Sequence, residues 1–515
     1  MPIFKVNVKW GREKFEKVEC NTDEPPELFK AQLFALSGVQ PDRQKVMLKG
    51  AVLKEENWGT FKLKDGTTFL MMGTADELPK EPLQKTMFVE DMSDQQLATA
   101  LNVPAGLENL GNTCYLNSTL QCFRSVPELR DSLKKFSGRI NPSVVDIQPA
   151  ESITSSIRDL FLQMDSTSQD VQPIMLLRLM HLAFPEFAER AENGALKQQD
   201  ANECWIQLFR QLEDQLPAIT APAQEEGGSA VAAAAPSPRS SFMKQYFGGE
   251  FKCSLKCDES EEEPVKYSTE KFSQLSCFIS QDVKYMHTGL KLKMKENIEK
   301  NSPTLKRNAV YTKTSVINRL PAYLTVQFVR FYYKEKESVN AKILKDVKFP
   351  MTFDAFDLCS EELQTRMTPI RGKFKIQDDK RAMEVSKAKA AGKKAPAEKE
   401  DVKYLPYNLE DDVGSNNSGY YTLQAVLTHQ GRSSSSGHYV GWIHNKGEEW
   451  LKFDDDKVTP IFEEDILKLS GGGDWHCAYV LIYGPKRLID DEGATSETNS
   501  DQPEKAAEEP EKMVE

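Results

Sequence analysis

Gly106 to Phe123 reads GLENLGNTCYLNSTLQCF. Gly111-Asn112-Thr113 is turn and cap chemistry. CYLNSTLQCF then sets Leu116, Leu120 and Phe123 on one helical stripe, which predicts a helix with Cys114 in its first turn. There the helix dipole and the free N–H groups favour a thiolate and pull the thiol below its usual pKa of ~8.5. The plain alternative is packing, because a lone cysteine is commonly a small buried hydrophobe. A nucleophile needs a base and the base needs an orienting group, so the rest of the chain decides.

Of six histidines, His438 stands out, in LTHQGRSSSSGHYVGWI. A Ser/Gly loop leads into Gly437-His438-Tyr439 and an alternating strand, which puts the imidazole at a loop–strand junction. Sixteen residues on, WLKFDDDKV ends a strand in three aspartates. If the two strands form a hairpin, Asp454 returns beside His438 and accepts its N–H, fixing the tautomer as in a catalytic triad. The alternatives are a core histidine and a solvated acidic turn.

The chain has 515 residues, roughly three domains by length, with 39% hydrophobic and 28% charged residues, as in ordinary globular proteins. No apolar run approaches the ~18 residues of a membrane span. MPIFKVNVKW lacks a secretory pattern, so a cytosolic or nuclear protein is expected. Nine cysteines do not suggest a disulfide framework. Net charge is −12, of which ten acids and two lysines from Asp490 onward supply −8. That tail is expected to be disordered, and the mildly acidic body argues against nucleic-acid binding.

Residues 1–76 form a unit of their own. IFKVNVKW alternates Phe4, Val6, Val8 and Trp10 on one face of a strand. NTDEPPELFKAQLFALSGV then predicts a helix with Asp23 as cap, Leu28, Leu33 and Leu36 as its apolar stripe, and Gly38 as its stop. QKVMLKGAVL and GTTFLMM read as further strands, with Lys49-Gly50 as a turn. Strand, strand, helix, strand, strand is a β-grasp order, and the segment resembles ubiquitin. After Met72 the chain continues GTADELP, without a terminal Gly-Gly, so a built-in ubiquitin-like domain is expected rather than a modifier. The resemblance places ubiquitin's apolar recognition patch at Met47, Phe69 and Met71, a docking surface for a partner that reads ubiquitin-like folds.

Residues 77–103 read as a polar linker, and 104–485 as the main globular domain. Flexible insertions are expected near 217–241 (Ala, Pro, Gly and Ser rich) and 378–401 (Lys rich), with the acidic tail over 486–515.

The Cys114 and His438 segments, with KQQDANECWIQL and LPAYLTVQFVRF between them in order, resemble the ubiquitin-specific protease family, closest to its proteasome-associated members. The resemblance implies an α+β architecture, with a papain-like catalytic domain of thumb, palm and fingers behind the ubiquitin-like domain. It implies thiol hydrolysis of isopeptide bonds at ubiquitin's C-terminal glycine. Cys114 is then the nucleophile, His438 the base, Asp454 the triad acid and Asn109 the oxyanion amide, with Asp455 in support. Asp200 matches a residue that binds the arginine-bearing ubiquitin tail. Phe331, Tyr439 and Tyr479 look like walls of a slot sized for Gly-Gly, with ordinary core as the alternative. Relatives often hold zinc in the fingers with paired Cys-x-x-Cys motifs. Here CSLKC (Cys253, Cys257) and Cys277 are one ligand short, with His287 a fourth only in principle, so neither zinc nor any other cofactor is expected. The implied partners are ubiquitin, its chains and the proteasome regulatory particle, met by a monomer. The loops YYKEKESVNAK and GRSSSSG are expected to gate the slot. Two other readings remain: a non-catalytic ubiquitin-binding proteasome adaptor, and a protease for another ubiquitin-like modifier.

Overall fold

The computed structural model describes residues 3–54, 58–59, 61–74, 104–141, 143, 148–219, 241–334, 339–390, 402–433, 436–473 and 475–490. The chain divides into two compact units, Met1–Asp91 and Met92–Glu515. The linker 77–103 lies outside the described residues, as do 220–240, 391–401 and 491–515.

In the first unit, β1 (Ile3–Trp10), β2 (Glu13–Asn21), β3 (Lys45–Leu48), β4 (Ala51–Val52) and β5 (Thr68–Met72) form one sheet in the order β2-β1-β5-β3-β4. The central pair, β1 and β5, is parallel. This is the β-grasp arrangement. Val6 and Val8 are fully buried, as the alternation of β1 requires. Three details correct the sequence reading. The Pro26–Ser37 helix starts without a side-chain cap, so Asp23 does not cap it, although Gly38 ends it in the left-handed region at φ 69°. Its buried stripe is the i, i+4 pair Phe29 and Leu33, while Leu28 and Leu36 face solvent. Phe69 and Met71 do not form a surface patch. They are core residues, 0% and 1% exposed. Alternation in β5 turns Leu70 and Met72 outward instead, with Leu70 opposite Met47 of β3 and Val52 of β4 next to Met47. The period of two was legible, but its phase needed the sheet.

The second unit joins a helical lobe to two sheets. The helices are Cys114–Arg124, Pro127–Lys135, Pro149–Ser166, Ile174–Ala183, Ala201–Gln215 and the short Phe242–Tyr246. Strands β6 (Gly249–Cys257), β7 (Lys266–Phe272), β9 (Lys295–Ser302) and β10 (Arg307–Arg319) form a separate sheet in the order β7-β6-β10-β9, the expected fingers. The large sheet runs β18-β17-β16-β15-β19-β11-β8. Its strands are β8 (Leu275–Phe278), β11 (Leu324–Val329), β15 (Tyr420–Ser433), β16 (Ser436–Lys446), β17 (Glu449–Asp454), β18 (Lys457–Phe462) and β19 (Cys477–Pro485). Three short strands, β12 (Phe331–Lys334), β13 (Val339–Lys342) and β14 (Thr352–Asp354), attach beside β15.

One core fuses the helical lobe to β15, β16, β17 and β19. Phe123 stacks on Trp205 at 3.9 Å between ring centroids, locking the nucleophile helix to the helix that Asp200 begins. The insertion after Leu216 leaves and returns at one point, where Pro217 bridges Ser241. The first part of the Lys-rich stretch is helical, within a helix that runs Glu361–Ala390. The fold also extends past Pro485, since Ile489 bridges Tyr404 and Asp490 N donates to Lys403 O.

The fingers cysteines are dispersed. Cys253 Sγ lies 3.3 Å from Ser315 Oγ, Cys257 packs with Ala309 and Tyr311, and Cys277 is buried in the other sheet. His287 is engaged by Asp357 at 2.9 Å.

Candidate active site

The turn before Cys114 is built by side chains closing on backbone. Asn109 Oδ1 accepts from Gly111 N (3.0 Å) and Thr113 N (3.1 Å), and Leu110 N donates to Thr113 Oγ1 (2.9 Å). Gly111 takes φ 103° and Asn112 φ 54°, conformations that glycine and asparagine tolerate best. The Thr113 side chain is spent on this turn and makes no cap bond to the helix. Cys114 is therefore set at the helix start, where first-turn N–H groups lack intrahelical partners. It is 2% exposed.

His438 arrives from β16 and Asp454 from the end of β17. The two strands pair antiparallel with Gly441 opposite Phe453. His438 Nε2 lies 2.6 Å from Asp454 Oδ1, which leaves Nδ1 for the neighbouring Cys114. These two contacts, Asp454 first, lift the His438 pKa to about 10, so the imidazole carries its proton. The Asp454 carboxyl is held far below its usual range by His438 and then Lys452, whose ammonium donates to Oδ2 at 2.7 Å.

Two more histidines stand close and are kept neutral. His476, 6.4 Å from His438 ring to ring, is pushed down to about 4, first by burial. His429 falls to about 3, by burial and then Lys342. Among the three, environment charges only the one beside a carboxylate.

Asp455 works differently from Asp454. Its Oδ2 accepts from Asn109 Nδ2 and its Oδ1 from Asn117 Nδ2, each at 2.9 Å. Leu107 N, at 2.9 Å, holds its backbone oxygen. Asp455 thus fixes the Asn109 amide. The ligand atoms of His438, Asp454 and Asp455 lie within 4.8 Å of one another. Each carboxylate oxygen already accepts a hydrogen bond, and the Lys452 ammonium fills the electrostatic role that a metal would take.

Asp200 caps the Ala201–Gln215 helix, accepting from Asn202 N (2.8 Å) and Glu203 N (3.1 Å), and Tyr479 Oη donates to both its oxygens at 2.9 and 3.0 Å. Burial raises its pKa in spite of these bonds. Of the three expected walls, two fall to the alternative reading as core. Tyr439 and Tyr479 are 1% and 4% exposed and belong to the core, while Phe331 is half-buried at its edge. Phe331 meets Tyr479 and His429 edge-on at 5.2 and 5.3 Å, and His429 lies 4.6 Å from Tyr439. Tyr439 Oη and both His429 ring nitrogens are buried without a hydrogen-bond partner among the described residues.

The serine loop turns on Gly431 and Gly437, at φ 124° and 130°. A Cβ on Gly437 would fall 2.1 Å from Gln430 O and 2.7 Å from His429 Nε2, so the loop closes directly onto that imidazole. Ser434 and Ser435, and residues 335–338 of the other expected gating loop, lie outside the described residues.

The sequence reading missed Asn117, Lys452, His429 and His476. Two carried a usable signal: Asn117 lies one helical turn beyond Cys114, and Lys452 shares the face of Asp454 two residues away in a strand.

Residues 105–483 match the protein family described as "Ubiquitin carboxyl-terminal hydrolase". The chain is 41% identical over 491 residues to ubiquitin carboxyl-terminal hydrolase 6 of Arabidopsis thaliana, covering 93% of this chain and 98% of that protein. It is 38% identical over 494 residues to ubiquitin carboxyl-terminal hydrolase 14 of Caenorhabditis elegans (94% and 93%). It is 35% identical over 505 residues to ubiquitin carboxyl-terminal hydrolase 6 of Schizosaccharomyces pombe (94% and 99%).

Proposed function

The chain belongs to the ubiquitin carboxyl-terminal hydrolase family and is a cysteine-type deubiquitinating peptidase, and we propose that Cys114 is its nucleophile and the proteasome its place of work. The observation that carries the site assignment is His438 held between the Asp454 carboxylate and the Cys114 side chain.

In this reading, ubiquitin's tail brings its last carbonyl to Cys114. The thiolate adds to the carbon, and the oxyanion accepts from the second N–H of Asn109 and from backbone N–H at the helix start. Asp455, already holding the first N–H, keeps the amide turned. Collapse breaks the C–N bond, and the His438 proton goes to the departing lysine amine. A water then gives its proton to His438 and attacks the thioester, releasing ubiquitin's carboxylate and restoring the thiolate. Asp200 takes a tail arginine, which offsets the strain of a partly buried carboxylate.

A ubiquitin bearing a C-terminal electrophile tests the assignment. It should form a covalent adduct with the wild type and none with Cys114→Ala. An adduct on the alanine variant, or none on the wild type with proteasome present, overturns it and returns the adaptor reading.

Docking at the proteasome is assigned to the corrected face of the ubiquitin-like unit, Met47, Leu70 and Met72. Apolar side chains gathered on one sheet face suit a protein partner. The serine loop is assigned as a gate. Phosphorylation within Ser433–Ser436 would add about two negative charges and lift it. A serine-to-glutamate series with unchanged cleavage rate removes that assignment. The enzyme is proposed to act as a monomer in cytosol and nucleus, and imaging and light scattering of the tagged chain test this.

A further inference from the structure

A cavity of about 530 Å³ opens between the C-terminal end of the nucleophile helix and strands β16 and β17. On one side are Arg124 at the close of the nucleophile helix, Arg130 of the next helix, and Asp165. On the other are Ile443 and His444 of β16 and Phe453 of β17, the strands that present His438 and end at Asp454. The Cys114–Arg124 helix spans about 16 Å, so this cavity is remote from the sulfur.

Its charges do not balance. Among the described residues, Asp165 is the only acidic residue lining it. Arg124 bonds Asp165 Oδ1 at 2.7 Å, Arg130 reaches both oxygens at 3.2 Å, and Lys134 stands 3.7 Å away. Arg124 and Arg130 of the lining and Lys134 just outside it thus share one carboxylate, a surplus of two positive charges around the cavity mouth. The Nε atoms of Arg124 and Arg130 are both buried without a hydrogen-bond partner among the described residues. Burial lowers the Arg124 pKa, and its neighbour Arg130 adds to that, although Asp165 opposes both.

We propose that this cavity binds a phosphate group, as free phosphate or as a small phosphate ester, with Arg130 and Lys134 turning from Asp165 to the ligand. A phosphate carries about −1.5 to −2 at neutral pH, which matches the surplus, and guanidinium groups recognise its oxygens through paired N–H bonds. Arg124, the more buried of the two arginines, stays on Asp165. The apolar wall of Ile443 and Phe453 leaves room for an organic substituent. A ligand here ties the lobe of Cys114 to the strands of His438 and Asp454.

Calorimetry on the full chain at constant ionic strength tests this with orthophosphate, pyrophosphate and glycerol phosphate. Saturable binding of one or more is expected. An equal response to orthophosphate and ester means that the phosphate group alone is read, and a tighter ester means that the apolar wall contributes. Asp165→Asn removes the competing carboxylate and should tighten binding at least tenfold. The double substitution Arg130→Ala and Lys134→Ala should weaken it at least tenfold. Where Asp165→Asn does not fold, Lys134→Glu, at a half-exposed position, should weaken binding at least tenfold. No saturable binding of any probe to the wild type, or affinity unchanged by the double substitution or by Lys134→Glu, overturns the proposal.

Discussion

Replacing Asp454 by Asn keeps its shape and removes the charge that sustains His438. Its hydrogen bond is the largest reason why the His438 pKa stands at about 10 instead of 6.5, with Cys114 next. At about 1.4 kcal/mol per pH unit, that difference is ~5 kcal/mol of preference for the imidazolium. The His438 side chain is 33% exposed, so solvent screening takes about half, and Cys114 shares the rest. About 1.5 kcal/mol then falls to Asp454, and its loss lowers the His438 pKa by about one pH unit. Loss of tautomer control adds to this, and in comparable triads the combined loss approaches ~10⁴. The raised His438 pKa contributes stability fully below pH 6.5 that is lost as pH rises through about 10. The lowered Asp454 pKa contributes stability above 3.8 that is lost as pH falls through the folded value. The Tm gap between wild type and Asp454→Asn should therefore be widest between these limits and close above about pH 10. Single-turnover cleavage of a fluorogenic ubiquitin substrate, run from pH ~5.5 to ~10.5, should show a rate at least tenfold lower and an alkaline limb moved down by a pH unit or more. A variant within twofold of wild type, with its alkaline limb unmoved, refutes the reasoning.

The ubiquitin-like unit separates core from surface cleanly. Leu70→Arg should abolish co-sedimentation with proteasomes and leave the melting of the unit within ~0.5 kcal/mol, whereas Phe69→Ala should destabilise it by ~3–5 kcal/mol in urea. Asn109→Ala should lower kcat by ~10²–10³ with little change in KM. Asp455→Asn should reproduce part of that loss, because it keeps the shape but loses acceptor strength toward Asn109 and Asn117; equal kinetics in wild type and Asp455→Asn would dismiss it as a positioning residue. Trp205→Ala removes the ring stacked on Phe123 and should cost ~3–5 kcal/mol by denaturant melting of the catalytic unit.

Local chemistry made much of this molecule readable. Gly38 had to stop a helix because the left-handed turn there admits glycine best. Cys114, His438 and Asp454 were recognisable because a cap-like turn, a glycine loop and an acidic strand end each carry their own signal. The errors share a cause. Leu28 and Leu36 were assigned inward on periodicity, and Phe69 and Met71 outward by matching ubiquitin's patch one residue out of phase with β5. Which phase of a strand or helix faces inward depends on what lies across from it, and that is decided by chain far away in sequence. His429 and His476 act through partners on other strands, so no local window could reveal them. Tyr439 and Tyr479 looked like lining because the residues suit a slot, yet the fold tucks both rings into the core.

That tucking bears on where the barrier to catalysis lies. In the proposed triad, His438 is charged and hydrogen-bonded to Asp454, with Cys114 as its second neighbour. The tail side of the site is turned in on itself. Asp200 is spent on its own helix and on Tyr479, and the aromatic rings of Phe331, His429, Tyr439 and Tyr479 pack against one another. Yet this closed arrangement is not fully satisfied. Among the described residues, Tyr439 Oη and the two His429 nitrogens find no hydrogen-bond partner, and a buried orphan costs about 1–3 kcal/mol. A Gly-Gly backbone brings N–H and C=O groups without side-chain bulk, which suits it to reach such atoms once Gly431 and Gly437 let the serine loop rise from His429. Opening the slot is then favoured by the hydrogen bonds that the tail alone can supply. In the proposed reading, the work left to an activating partner is to move a loop, not to build a triad.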